Sequence, residues 1–462
     1  METQQMDETK REFGVSEKSG KRLVVIRGGT VLTMTGDLRP LKDTEIQISD
    51  GIIKAIGGQS DLSEPARPEV VDATDCVVAP GLVNSHTHLA MTLFRGFSDD
   101  LPLRRWLFEK IFPAEAAFLS PETVYWGALL GCLEMISSGT TCFADGYFFP
   151  ESTLEAVSDS GMRALIAQGV IDFPAPGIKD PEKNIDAAAS FIEKTHSLSS
   201  LITPGLFCHS PITCSTGTLK RAAEISRGHS VPIQIHLSET LSERAEIETR
   251  HRMKPVEYLE STGILGPDLI AVHAVHIDKD ETVRLRENGV KIVHTPESNM
   301  KLCSGVAPVQ GYIGAGMHVA LGTDGCASNN DLDMFREMDK AAKLSKMSEK
   351  DPTSLDARTV MKMATCWGAE ALGLGDLIGT LEIGKRADLM IIDMAAPHLC
   401  PLYDPYSALV YAARGSDVRD VFIDGAAVFR NRRFTRLNPV EIMERVREMV
   451  ADRHAEFQNN CL

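Results

Sequence analysis

Apolar and polar positions divide the chain into regions of different rhythm. Between about Lys21 and Pro80, short alternating runs (RLVVIRGGTVLTM, TEIQISDGIIKAIGG, EVVDATDCVVAP) are punctuated by Gly and Asp-Gly, the pattern of strands joined by tight turns. From Pro80 apolar strands alternate with helical stretches. Eight strand candidates follow in order: GLVNSHT, TTCFADG, RALIAQGVID, LITPGLFCHS, VPIQIHL, LIAVHA, VKIVHTP and HVALGTD. The helical ends are well marked. In the stretch Pro121 to Ser138, Ser120 offers an N-cap, Pro121 takes the first helical position and Gly139 stands just past the end. Eight strands, each followed by a helix, predict an α/β fold, a parallel (β/α)8 TIM barrel over residues 80–374. That span is near the usual barrel size of roughly 250 residues.

The β rhythm returns in GTLEIGKRADLMIIDM and DVRDVFIDGAAVFRNRRF. Each β flank is short for a core of its own, so residues 21–79 and 375–438 are expected to pair with one another in a small composite domain. Residues 439–462 read as a charged helical tail, and residues 1–20 as a mobile polar lead-in.

Composition narrows the function. The 462 residues are 43% hydrophobic, enough for a large buried core. A formal net charge of -16 would repel phosphate backbones and anionic lipid, so neither nucleic acid nor a membrane is expected as partner. The ten cysteines include no Cys-x-x-Cys pair, a usage that fits buried thiols in a reducing cytoplasm. No secretory or spanning segment is evident, and a small molecule is the expected partner.

The chemistry starts at Val78–His88, where an apolar run ends in His86-Thr87-His88. Side chains two apart on a strand share a face, so the two imidazoles can form two corners of a metal site. Barrel sites lie at the C-terminal ends of the strands. There the fifth strand brings His236 and Glu239, the sixth His273 and the eighth Asp324. His86, His88, His236 and Asp324 supply three nitrogens and one oxygen to a single divalent ion, zinc ahead of iron or manganese, with a position left for water. The ion lowers that water's pKa toward about 7. Glu239, three residues past a ligand, is placed to carry a proton, and His273 to orient or deprotonate the water. Asp324 serves as both ligand and proton shuttle. His276 and His294 read as structural histidines, although His294 also ends a strand.

The motifs PGLVNSHTH, HLSET, AVHAVH, HTPESNMKL and LGTDGCASNN resemble the amidohydrolase superfamily, in its cytosine-deaminase-like branch with one metal ion. The resemblance runs from about Leu23 to Phe434. It implies that the two β flanks form a composite sandwich beside the barrel. Binuclear members carry a carboxylated lysine at the end of strand four, where this chain has Cys208-His209-Ser210. Within the branch, FRGFSDDLPLRRWLFEKIFPAE and GLFCHSPITCS are similar to 5-methylthioadenosine/S-adenosylhomocysteine deaminases. That similarity implies a nucleoside packed near Trp106, ribose hydroxyls on Glu115 and a purine contact from His209. It implies hydrolytic deamination at C6, with Glu239 protonating a ring nitrogen, and an oligomer of two or four chains.

One departure bears on the substrate. The arginine with which such enzymes meet the S-adenosylhomocysteine carboxylate matches Gln168 here, and a neutral amide cannot replace a guanidinium. Methylthioadenosine or adenosine is therefore expected over S-adenosylhomocysteine, unless another cation such as Lys179 swings in. The alternatives on the same scaffold are deaminases of guanine, cytosine or a pterin, and triazine hydrolases. A non-catalytic scaffold barrel is disfavoured, because every proposed ligand is present.

Overall fold

The structure, a computed structural model, describes residues 23–57, 68–196 and 198–461; the polar lead-in of residues 1–20 lies outside them. The eight expected strands are all present: Leu82–Thr87, Thr140–Tyr147, Arg163–Val170, Ile202–Cys208, Ile233–Leu237, Leu269–His273, Lys291–His294 and Val319–Leu321. They form one sheet in sequence order, parallel at each paired step. Both faces are covered, which is why these strands read as apolar runs and not as alternation. Val83, Leu165, Phe207, Val272 and Val293 fill the interior, while Ile166, Ile235 and Leu321 pack outward against the helices.

The eighth strand returns to the first. The Asp324 N–H donates to the His86 carbonyl at 3.0 Å. The approach depends on Gly322, where a Cβ would lie 2.8 Å from the His86 nitrogen and 2.9 Å from its carbonyl oxygen. The helix after the first strand runs Pro121–Ser137, capped by the Ser120 hydroxyl as expected.

The flanks do pair. Cys76–Pro80 runs antiparallel to Leu389–Asp393 in a seven-stranded sheet, from Cys76 opposite Asp393 to Pro80 opposite Leu389. A four-stranded sheet containing Leu23–Arg27 and Ile46–Ser49 packs on it through Val24, Ile26, Ile48, Val78, Ile391 and Phe422. This β unit is tied to the lower end of the barrel by a buried ion pair. Arg163, first residue of the third strand, donates to both oxygens of Asp388 at 2.7 and 3.1 Å and to the Ser200 carbonyl at 2.8 Å. The C-terminal helix, Pro439–Cys461, lies against Pro121–Ser137. No described helix is long and apolar enough to cross a membrane, and Cys76, Cys132, Cys142, Cys208, Cys214, Cys303, Cys326, Cys366 and Cys400 are free thiols.

Candidate active site

Four side chains meet at the C-terminal end of the barrel. One ligand atom from each of His86, His88, His236 and Asp324 lies within 4.8 Å of the others. His86 Nε2 is 3.1 Å from His236 Nε2, and Asp324 Oδ1 is 3.2 Å from His88 Nε2. The ring orientations are set from behind. His86 Nδ1 donates to Gln234 Oε1 at 3.0 Å and His88 Nδ1 to the Gly146 carbonyl at 2.7 Å, so both Nε2 lone pairs face the centre. Asp324 Oδ2 accepts the Ser298 and Ser328 hydroxyls, each at 2.7 Å, and Oδ1 is left for the centre.

A nitrogen lone pair facing a carboxylate oxygen at this distance calls for positive charge between them. The protonation tendencies agree. Burial lowers the pKa of His86, and burial with the neighbouring imidazoles pushes His236 well below the usual value. Burial opposes the charge on Asp324, but the His86 and His88 imidazoles outweigh it and hold the carboxyl well below its ordinary range. Burial opposes charge on His88 too, yet Asp324 raises it net. Three imidazoles and one carboxylate in this arrangement suit one zinc-like ion.

Three rim residues have left-handed backbone: Ser238 at φ 48°, His273 at 67° and Asp324 at 62°. Such a conformation costs a non-glycine residue about 1–3 kcal/mol. At Ser238 the Glu243 carboxylate caps the bend, accepting the N–H groups of Ser238 at 3.2 Å and Glu239 at 2.8 Å. Glu239 Oε1 accepts the Ser304 hydroxyl at 2.9 Å, and its other oxygen is 3.8 Å from His273 Nε2. Burial raises the Glu239 pKa. His273 Nδ1 stands 2.9 Å from Asn299 Oδ1 and 2.8 Å from the Thr295 hydroxyl; in the tautomer in which Nδ1–H donates to the Asn299 oxygen, Nε2 is the acceptor.

Above the cluster a cavity opens, and Trp106, Glu115, Tyr147 and His209 line it together with His88, Glu239 and Asp324. Trp106 and Glu115 sit on a helical stretch interrupted by a π-helical turn, Trp106–Ile111. Pro113 has no N–H for the carbonyl one turn back, and the helix widens before it, with the Phe112 N–H reaching Leu107. Glu115 is 2% exposed and accepts the Tyr147 hydroxyl at 2.6 Å. Burial, partly offset by that bond, pushes its pKa up to about 7. The Trp106 indole N–H is buried without a hydrogen-bond partner. His209 presents its edge to His236 with ring centres 5.1 Å apart, and burial lowers it to about 3.

Gln168 is a correction. It falls on the face of the third strand shared with Ala164 and Ile166, outside the barrel, whereas Leu165 and Ala167 point inside. Its amide donates to the Gly169 carbonyl at 3.0 Å, and Gln168 is not among the residues lining the cavity. From there Gln168 does not meet a substrate carboxylate in the cavity. His294 is buried away from the cavity lining, and His276 holds the Ser304 carbonyl at 2.7 Å, a structural task.

Sequence reasoning missed Gln234, Ser298, Ser304, Ser328, Glu243 and Tyr147. Gln234 carried a signal, being a polar residue two positions before His236 on the same face of an apolar strand. Ser298 and Ser328 lie inside the motifs HTPESNMKL and LGTDGCASNN, whereas Ser304 carried no signal.

A family model described as the amidohydrolase family matches residues 77–428. The chain belongs to the amidohydrolase family. Among its amidohydrolase relatives, a 5-methylthioadenosine/S-adenosylhomocysteine deaminase of Syntrophobacter fumaroxidans is 47% identical over 430 residues, 93% of this chain and 98% of that protein. A 5'-deoxyadenosine deaminase of Methanosarcina mazei is 43% identical over 91% of this chain and 96% of its own. Among solved structures, an adenosine deaminase from Xanthomonas campestris with bound zinc superposes with a TM-score of 0.90 at 37% identity, over 93% of this chain and 98% of that one. The His86, His88, His236 and Asp324 cluster is suited to one metal ion, and the Xanthomonas structure carries zinc.

Proposed function

We propose that this amidohydrolase deaminates adenine nucleosides, replacing the C6 amine by oxygen and releasing ammonia. The observation that carries the reading is the polar pair in the cavity wall. A buried carboxylate, Glu115, and a buried indole N–H, Trp106, line the same cavity as the metal ligands. A carboxylate can accept two vicinal hydroxyls, as on ribose, and an indole N–H needs an acceptor. A free base has no vicinal hydroxyls to give the carboxylate. The names of the relatives at 43–47% identity, 5-methylthioadenosine, S-adenosylhomocysteine and 5'-deoxyadenosine deaminases, point to the same class.

His86, His88, His236 and Asp324 would hold the ion, which would supply a water made nucleophilic at neutral pH. The residues around it move protons. Glu239, its carboxyl raised by burial and steadied by Ser304, gives a proton to a ring nitrogen as C6 is attacked. His273, with Nδ1–H committed to Asn299, accepts the proton the water loses at Nε2. Asp324, a carboxylate at the start, takes the proton of the hydroxyl added at C6 and hands it to the departing amine through the oxygen that Ser298 and Ser328 leave free, and His273 returns its proton to Glu239, 3.8 Å away. His209 packs against the purine.

A spectrophotometric panel of adenosine, 5'-deoxyadenosine, methylthioadenosine, S-adenosylhomocysteine, guanine and cytosine with zinc-loaded protein tests the reading. Turnover is expected for the nucleosides. Turnover confined to guanine or cytosine overturns it.

A further inference from the structure

The cavity over the metal centre does not end at Phe108. A second chamber of about 480 Å³ continues outward, and Arg104, Phe108, Ile212, Thr213 and Glu246 border both spaces. The inner space is walled largely by aromatic rings and the catalytic groups. Charge collects in the outer one, which carries Arg104, Arg250, Asp172 and Glu246.

These charges do not cancel pairwise. Glu246 is held closely by Arg250, four residues on along the same helix, and is also approached by Arg104 at 3.6 Å. One carboxylate neutralises one guanidinium, so Arg104 keeps a spare positive charge. Its side chain is 78% exposed and rests over the Phe108 ring at 5.6 Å. A long, solvated ion pair of this kind is worth little, and Arg104 leaves it at small cost. Asp172 offers a carboxylate on the other side, accepting the Ser215 N–H at 2.6 Å and the Thr218 hydroxyl at 2.8 Å. A spare guanidinium and a carboxylate around one chamber complement an α-amino acid, which carries both charges.

We propose that Arg104 is the residue through which this enzyme accepts nucleosides whose 5' substituent ends in an α-amino acid. Its guanidinium exchanges Glu246 for the substrate carboxylate, a planar match that a bidentate pair exploits. S-adenosylhomocysteine has this chemistry; methylthioadenosine and 5'-deoxyadenosine do not. Gln168 is turned outside the barrel, and Lys179 borders neither chamber. The inference rests on the adenine-nucleoside reading above.

The test compares wild type with Arg104→Gln and Arg104→Glu on S-adenosylhomocysteine, on methylthioadenosine, and on the S-adenosylhomocysteine analogue in which hydrogen replaces the carboxylate. The ratio of kcat/KM for S-adenosylhomocysteine to that for methylthioadenosine is expected to fall about tenfold in Arg104→Gln, through KM, and further in Arg104→Glu. The ratio for the analogue lacking the carboxylate stays where it was. An unchanged S-adenosylhomocysteine ratio, or one that falls equally for the analogue, overturns the assignment of Arg104 and leaves the nucleoside reading standing. Wild-type protein inactive on every nucleoside removes the reading itself, and the inference with it.

Discussion

The two ends of the barrel bury charge in opposite ways. At the lower end Arg163 and Asp388, 2% and 1% exposed, satisfy each other through two hydrogen bonds. Nothing is left over there for a ligand. At the upper end Asp324, Glu239 and Glu115 are buried too, yet no lysine or arginine pairs with them among the hydrogen bonds and ion pairs at the site. Their partners are imidazoles and hydroxyls. A self-neutralised pair holds two units together; carboxylates without a protein cation are groups waiting for an ion, a proton or a substrate.

Substitutions can break this contrast. The largest effect is expected at the upper end. Glu239→Gln should lower kcat by about 10²- to 10⁴-fold while bound metal, measured by mass spectrometry, stays stoichiometric. Near-normal turnover would show that another group carries the proton.

At the lower end the effect should fall on stability alone. Arg163→Leu strands the Asp388 carboxylate and is expected to cost about 3–5 kcal/mol in denaturant unfolding, with kcat per folded molecule unchanged. Adding Asp388→Leu should restore much of that loss. A drop in kcat instead would mean that the lower end reaches the site.

The smallest effect sharpens the comparison through pH. Burial raises the Glu115 carboxyl to about 7 in the folded protein. Its ionisation therefore costs nothing below the ordinary carboxylate pKa; the cost grows as pH rises from there to about 7 and is constant above. Glu115→Gln removes it, so the variant should gain on the order of 2–3 kcal/mol over wild type at pH 8 and almost nothing at pH 4. Thermal unfolding across pH measures the difference, and equal stability of the two proteins at pH 8 would show that Glu115 ionises freely.

The sequence carried more of the barrel than of its selectivity. All eight strands were legible, because a strand buried on both faces is a run of apolar residues ended by polar ones. The four ligands were legible for a related reason: a histidine or aspartate that closes such a run must sit at the rim. Glu115 and Trp106 were reached only through family resemblance. A helical pattern does not say that Glu115 turns inward, and the π-helical turn that helps place it arises from contacts one turn apart around Pro113. Gln168 was misplaced although strand alternation argued against it, since Leu165 and Ala167 belong to the interior and their even-numbered neighbours do not. Ser298 and Ser328, in short helices after the seventh and eighth strands, and the loop residue Ser304 stayed hidden because a serine reads the same whether it faces solvent or orients a catalytic carboxylate.

The left-handed backbone at Ser238, His273 and Asp324 has one more consequence. Glycine would relax each of these positions, and a barrel selected for durability alone would have it there. The chain instead keeps a polar side chain at every one, two of them proposed to handle protons and the third between a ligand and the proton carrier. The sites that would most easily be made comfortable are those the reaction can least spare, so attempts to harden this enzyme against heat should start at the lower end of the barrel and leave these three bends alone.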